Sequence, residues 1–286
     1  MGRGARNGWW RRGLDLFGTA AFGSGWGARA ARALGLQGRL SVVEHAFELP
    51  GLRPGSALRL AFASDFHAGP LTHPQLFQAL AGVLAGFEPD LLLLGGDYVS
   101  LDEDHIGELL EPLSRLRPRL GCFAVLGNHD LWLDDALVVR RLGEAGVDVL
   151  VNEERRLETP VGAIRLYGMD EPDTGDPKPP RWSAGASPGI VLMHSPLGLE
   201  SLRGQEFDLA LCGHTHGGQI ALPGGVPLVL PPGSGKRRYA RGEFRLPGRG
   251  SRMIVSRGVG MSELPVRLFA PSEVHLCLLR STSSDV

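Results

Sequence analysis

Along residues 41–280 short apolar runs of strand length alternate with runs of helical spacing, and most strand-like runs stop at Asp, Asn, His or Gly. Val42, Val43, Ala46 and Phe47 form a β-prone stretch ended by Pro50-Gly51. A second apolar run, residues 58–63, stops at Ser64-Asp65. Thr72-His73-Pro74 predicts a helix start, with Thr72 or His73 as cap and Pro74 in the first turn. Its apolar stripe is Leu76, Phe77, Leu80, Val83, Leu84 and Phe87, and Pro89 ends it. Residues 91–94 are continuously apolar, as expected of a strand buried on both faces, and end at Gly95-Gly96-Asp97. Helices are predicted over 103–116 and from Asp134 or Asp135 to Glu144. Further strands are predicted over 122–126, 147–151, 163–167, 190–193, 209–212, 253–256 and 274–279, and residues 170–188 read as a polar surface loop.

The repeated unit is an apolar strand followed by a polar cluster. In layered α/β folds such strand ends carry the chemistry while the strands hold it rigid. No internal repeat or composition break divides residues 41–286, so they read as one domain.

Composition adds three points. Glycine (41) and proline (21) are abundant for a chain of 286 residues, which fits a loop-rich globular protein. Cys122, Cys212 and Cys277 are too few and scattered for a disulfide framework. Thirty basic residues nearly balance 31 acidic ones, which argues against a protein that coats nucleic acid. The balance hides an asymmetry: residues 1–40 carry seven arginines and one acid, Asp15, leaving −7 for the remainder.

No window offers 18 uninterrupted apolar residues, so no spanning helix is expected. Residues 1–40 read as a basic targeting or membrane-surface segment. Trp9, Trp10, Leu14, Phe17 and Phe22 would face lipid headgroups, with residues 9–39 as the peripheral contact on the cytoplasmic face. The alternatives are a twin-arginine-like export signal at Arg11-Arg12 and a disordered basic tail.

The strand-end clusters hold the candidate chemistry. Asp65-Phe66-His67 puts two donors two residues apart, on one side of an extended segment, and His214-Thr215-His216 repeats the spacing. With Asp97, Asn128 and His194 the set is seven oxygen and imidazole donors without thiolate. Such a set suits Mn²⁺, Fe, Zn²⁺ or Co²⁺, and seven donors suit two ions sharing a carboxylate better than one four-coordinate ion. Singly, each fragment reads more simply as a cap, a turn or a buried histidine. His45, His73, His105 and His275 lie outside the clusters and are given that ordinary reading. Ser195 adjoins His194 but lacks the Gly-x-Ser-x-Gly elbow of a serine nucleophile.

Asp65-Phe66-His67, Gly96-Asp97, Gly127-Asn128-His129-Asp130, His194 and Gly213-His214-Thr215-His216 occur in the order seen in calcineurin-like metallophosphoesterases. The resemblance covers about residues 41–280, and the tail from Val255 to Phe269 resembles a bacterial branch that is often membrane-associated or exported. It implies an α/β four-layer sandwich, two packed mixed β-sheets flanked by helices. It implies that Asp65, His67 and His216 bind one divalent metal, that Asn128, His194 and His214 bind a second, and that Asp97 bridges them. His129 would face the leaving group, oriented by Asp130. Mn²⁺ is the first expectation for both ions.

The expected function is hydrolysis of a phosphodiester or pyrophosphate by a metal-activated water. One relative in the branch resembles a hydrolase of UDP-2,3-diacylglucosamine in lipid A synthesis, so a lipid-linked substrate is expected. Arg257 and Arg267 would hold substrate phosphates; the run Lys236-Arg237-Arg238 is a further candidate that reads more simply as a solvated loop. The alternatives are a small-molecule phosphomonoesterase, a cyclic-nucleotide phosphodiesterase, or a scaffold with a vestigial metal site. The acidic balance of residues 41–286 argues against a stable nucleic-acid partner.

Overall fold

The computed structural model describes residues 16, 18–55, 57–182, 187–247 and 250–282. The expectations for Trp9, Trp10, Arg11, Arg12, Leu14 and Phe17 lie outside the described residues. Among those described, no helix is long and apolar enough to cross a membrane.

Two six-stranded sheets pack face to face. The first runs in the order β1 (Ser41–Leu49), β14 (Glu273–Ser281), β2 (Ala57–Ala63), β3 (Leu91–Leu94), β4 (Cys122–Ala124), β5 (Val147–Val149). The second runs β12 (Gly242–Arg245), β13 (Arg252–Val255), β9 (Leu209–Cys212), β8 (Gly189–Leu192), β7 (Gly162–Gly168), β6 (Glu153–Thr159). A short ribbon pairs β10 (Ala221–Leu222) with β11 (Val226–Pro227). The helices include α1 (Trp26–Ala33), α2 (Gln75–Phe87), α3 (Ile106–Leu113), α4 (Asn128–Trp132) and α5 (Asp135–Glu144).

Period-two alternation explains the layers. In β3, Leu91 and Leu93 pack between the sheets against Ile164, Ile190 and Leu211. Leu92 and Leu94 pack the other way, with Leu80 and Leu84 of α2 and Leu109 of α3. Both faces are covered, so the run is apolar throughout. Truncating Leu93 to alanine would cost roughly 2–5 kcal/mol, because a close-packed interior relaxes only partly around a cavity. A third cluster covers the outer face of the second sheet, with Met193, Cys212 and Met253 against Phe207 and Tyr239.

Several local expectations are corrected. Thr72 does not cap α2; its hydroxyl accepts the Met261 N–H (2.9 Å), tying the helix entry to a distant loop. The helix expected to reach 116 ends at Leu113, with Pro112 in its last turn. The strand β6 has the sequence EERRLET, and its polarity conceals it from an apolar-run search. It is the edge of its sheet, paired only with β7, where charged side chains are tolerated. Helix α1 was also not anticipated. Ala28 and Ala31 are buried, and Gln37 just beyond donates to the Leu71 and Pro265 carbonyls (2.7 and 3.0 Å). Residues 26–40 therefore pack on the body.

Candidate metal centre

Strands β2, β3 and β4 run parallel in the first sheet, and β8 and β9 run parallel in the second. Their carboxyl ends converge, and each ends in one polar cluster. Backbone hydrogen bonds lock the loops together. The N–H groups of Phe66 and His67 both donate to the Asp97 carbonyl (2.8 and 3.0 Å). The His214 N–H crosses between sheets to Asp65 Oδ1 (2.8 Å).

The loops are not extended. Asp65, His67, Asp97, His214 and His216 have φ of 52°, 45°, 56°, 68° and 50°. This left-handed conformation costs a non-glycine residue roughly 1–2 kcal/mol. The side chains of Asp65 and His67 meet through a tight turn, not through the extended geometry expected. Two glycines permit the approach. A Cβ on Gly127 would lie 2.1 Å from Asp97 Oδ1, and one on Gly213 2.1 Å from Asp65 Oδ2.

The structure gathers all seven candidate ligands, none more than 5% exposed. Donor atoms of Asp65, His67, Asp97 and His216 lie within 4.8 Å of one another, and so do those of Asp97, His194 and His214. Asp97 belongs to both groups. Its Oδ2 lies 3.5 Å from Nε2 of His67 and 3.5 Å from Nε2 of His194. Asn128 joins the second group, its Oδ1 2.9 Å from His214 Nδ1 and 3.0 Å from His194 Nε2.

Neighbouring groups aim the rings. His214 Nε2–H donates to the Pro232 carbonyl (2.6 Å), which leaves the Nδ1 lone pair facing the cluster. His194 Nδ1–H donates to the Gly95 carbonyl (2.8 Å), which turns Nε2 inward. Such carbonyl partners are what hold metal-ligating histidines in register. The other two rings differ. His67 Nδ1 has no hydrogen-bond partner among the described residues. His216 Nδ1 accepts from the Arg267 guanidinium (3.1 Å).

The electrostatics suit cations. Burial pushes the Asp65 carboxyl up to about 7, with Asp97's charge adding to the rise. Burial lowers His67 and His214 to about 4. Burial opposes the charged form of Asp97 too, yet His194 and His129 beside it hold its carboxyl well below the usual range. His194 is the exception among the rings. Burial disfavours its cation, but the charge and hydrogen bond of Asp97, with Asp65 and Glu171, raise it to about 10. A divalent cation could take the place of that second proton on Nε2. A buried cluster of two carboxylates and four imidazoles, each turning a ring nitrogen inward, fits a pair of divalent ions.

His129 stands beside this set, its ring edge-on to His67 at 4.6 Å and its N–H donating to Asp97 Oδ1 (2.9 Å). Asp130, expected to orient His129, engages backbone. Its Oδ2 accepts from Asp97 and Gly127 N–H (2.9 and 2.8 Å) and its Oδ1 from Tyr98 N–H (2.8 Å). It thereby ties the loop carrying Asn128 to the loop carrying Asp97.

Arg257 and Arg267, expected to meet substrate, are committed inside the protein. Arg267 donates to the carbonyls of Gly260 (3.0 Å), Ala270 (3.1 Å) and Arg257 (2.8 Å) as well as to His216. Arg257 is tied to Glu273 through Nε (2.6 Å) and its backbone N–H (2.7 Å). Of the Lys236-Arg237-Arg238 run, Arg237 donates to the Pro227 and Leu228 carbonyls (2.5 and 3.3 Å), and Arg238 lies over the Tyr239 ring (4.5 Å).

Behind Arg257 runs a chain of contacts that sequence reasoning missed. Glu243 bonds His45 (3.0 Å), His45 bonds His275 (3.0 Å), and His275 lies 3.2 Å from Glu273. His45 and His275 sit within strands, where nothing distinguishes them from ordinary core histidines.

Comparison with known proteins agrees with this geometry. The family model described as calcineurin-like phosphoesterase matches residues 58–218. Phosphodiesterase YaeI of Escherichia coli (strain K12) is 36% identical over 212 residues, covering 71% of this chain and 75% of that protein. A protein of Aquifex aeolicus (strain VF5), named an uncharacterized metallophosphoesterase, is 28% identical over 84% of this chain and 92% of its own length. Among solved structures, a 5'-nucleotidase precursor from Thermus thermophilus aligns with a TM-score of 0.45 and 16% identity, covering 79% of this chain. This chain spans about half of that protein (55%). With the matched region running from β2 to the last histidine of the cluster, the chain belongs to the calcineurin-like phosphoesterase family.

Proposed function

We propose that this metal-dependent phosphoesterase cleaves a phosphodiester or pyrophosphate bond, with a lipid-linked molecule such as UDP-2,3-diacylglucosamine as the substrate type. The observation that carries the dinuclear reading is Asp97 Oδ2, equidistant at 3.5 Å from one ring of each ligand group. Asp65, His67 and His216 would hold one ion and Asn128, His194 and His214 the other, with Mn²⁺ the first candidate and Fe, Zn²⁺ or Co²⁺ next. Two such ions supply Lewis acidity and a nucleophilic water at neutral pH.

The protein's own residues do the rest. Asp97 fixes the spacing of the two groups while its Oδ1 holds the His129 backbone. His129, outside the ligand groups but against His67, is placed to give a proton to the leaving oxygen. Asp130 keeps both loops in register, and Arg267 holds His216. The basic, aromatic residues 9–39 support peripheral contact with the cytoplasmic face of a membrane, with export by a twin-arginine-like signal as the alternative.

The test is a substrate panel on metal-stripped and Mn²⁺-loaded protein, with metal content measured on the same samples. Aryl phosphomonoesters, aryl phosphodiesters, cyclic nucleotides and UDP-2,3-diacylglucosamine in detergent separate the classes. Hydrolysis that needs added metal and prefers the detergent-dispersed lipid is expected. Equal turnover by stripped protein would overturn the dinuclear reading, and preference for a cyclic nucleotide or monoester would replace the substrate class.

A further inference from the structure

Of the twelve large apolar side chains exposed among the described residues, six are gathered around one ribbon. Four lie on or just beyond the β10–β11 ribbon: Leu222, Val226, Leu228 and Val229, the last 71% exposed. Leu268 and Phe269 (59%) lie beside them, because Ile220 pairs with Leu268 and the Ala221 N–H donates to the Leu268 carbonyl (2.9 Å). The same loop reaches α1. The Arg267 N–H donates to Leu36 (2.8 Å), and a Cβ on Gly27 would lie 3.1 Å from Pro265. Trp26 on α1 is 54% exposed. Monomeric proteins seldom leave apolar groups gathered in this way without a partner.

Charge distinguishes the partner. The segments 16–43, 214–242 and 264–272 contain no Asp or Glu, in a chain with 31 acids. They contain Arg29, Arg32 and Arg39, then Lys236, Arg237, Arg238 and Arg241; the Arg267 of the third segment is buried. Arg237 and Arg241 clasp the ribbon itself through the carbonyls of Pro227 and Gly225 (2.5 and 2.9 Å). Exposed cations border these apolar side chains, with Glu263 an exposed acid at the edge of the 264–272 loop, and an apolar surface with this excess of cations matches the boundary of an anionic bilayer.

The surface is also joined to the metal centre. The excursion that carries the ribbon leaves at His216 and returns at Pro232, whose carbonyl holds His214. A groove of about 400 Å³ runs along its returning arm, lined by residues 228–235 and Arg237.

We propose that the β10–β11 ribbon, Leu268-Phe269 and the exposed side of α1 form a docking surface for an anionic lipid bilayer. Docking there brings the strand-end histidines to phosphate groups at the membrane surface. The proposal rests on the phosphoesterase reading only for what the membrane offers the centre; the binding is measured without catalysis.

The test uses the full chain and the variant Val229→Asp/Phe269→Asp, whose sites are exposed and outside the metal cluster. Both are sedimented with vesicles of phosphatidylcholine alone and of phosphatidylcholine mixed with phosphatidylglycerol. Wild type should pellet with the mixed vesicles, and partition of the variant should fall about tenfold or more. Hydrolysis of a water-soluble aryl phosphodiester should be the same for both. Wild type that ignores mixed vesicles, or binds neutral ones equally, overturns the proposal. So does a variant that pellets like wild type, because a part of the chain outside the ribbon and Leu268-Phe269 would then carry the binding. A variant that changes only the size-exclusion mass, from dimer to monomer, overturns it in favour of a second copy of the chain. Vesicle binding by a chain that hydrolyses no phosphoester leaves the docking surface standing and removes the reading of the centre.

Discussion

The two ligand groups that share Asp97 are built differently. On one side, His194 and His214 are each aimed by a backbone carbonyl, of Gly95 and Pro232. On the other, His67 Nδ1 has no hydrogen-bond partner among the described residues and His216 Nδ1 faces a guanidinium. The first group is oriented by rigid backbone and carries a proton where a cation would sit. The second has both rings held in the neutral form, and its orientation comes from Arg267 and from the left-handed turns at His67 and His216. Two similar ligand sets thus present different thermodynamic problems to an incoming ion.

Both groups depend on the carboxylate they share. Asp97→Asn should abolish metal-dependent turnover and lower bound metal on both sides, as read by elemental analysis of purified protein. His129→Ala comes next. It should keep full metal content and lose roughly 10²–10⁴-fold in kcat, most with poor leaving groups. Loss of metal in that variant would make His129 a ligand.

A metal titration across pH sharpens the contrast. A proton and a cation compete for His194 Nε2, so binding on that side expels a proton while pH is below about 10. Its affinity should rise about tenfold per pH unit from 7 upward. On the other side Asp65, near 7, is the last group to ionise, so affinity there should level off above that pH. Two parallel pH profiles in calorimetric titrations would refute the distinction.

The smallest effect concerns the support behind His216. Burial opposes ionisation of Glu273, but His275 and Arg257 hold its carboxyl down to about 2, against an ordinary 4.5. A depressed carboxyl stabilises the fold above its unfolded value, and that contribution is lost as pH falls from about 4.5 to about 2. The shift corresponds to about 3 kcal/mol. Glu273→Gln should be less stable than wild type at neutral pH, and the two should converge toward pH 2 in urea denaturation.

Much of the centre was legible because its ligands follow apolar runs such as residues 91–94, and strand ends need no special backbone to be recognised. What stayed hidden depends on tertiary partners. The left-handed turns at Asp65 and His214 go against local preference and are held by contacts from the opposite sheet, such as His214 N–H to Asp65. Arg267 reads in sequence as a free cation for phosphate. Only the folded chain supplies the carbonyls of Gly260, Ala270 and Arg257 that bury it. The charged strand β6 and the small-residue helix α1 escaped for a simpler reason: neither shows a long apolar stripe.

The strand order of the first sheet has a consequence for biosynthesis. The last strand, β14, lies between β1 and β2, parallel to one and antiparallel to the other. β2 leads directly into Asp65, so the wall behind the metal centre has a slot that only residues 273–281 fill. A nascent chain still short of residue 281 on the ribosome cannot close that sheet, however early its middle strands pair. Assembly of the centre is thereby coupled to the arrival of residues 273–281, and a stop codon before β14 would yield a chain with all seven candidate ligands and no stable place to hold them.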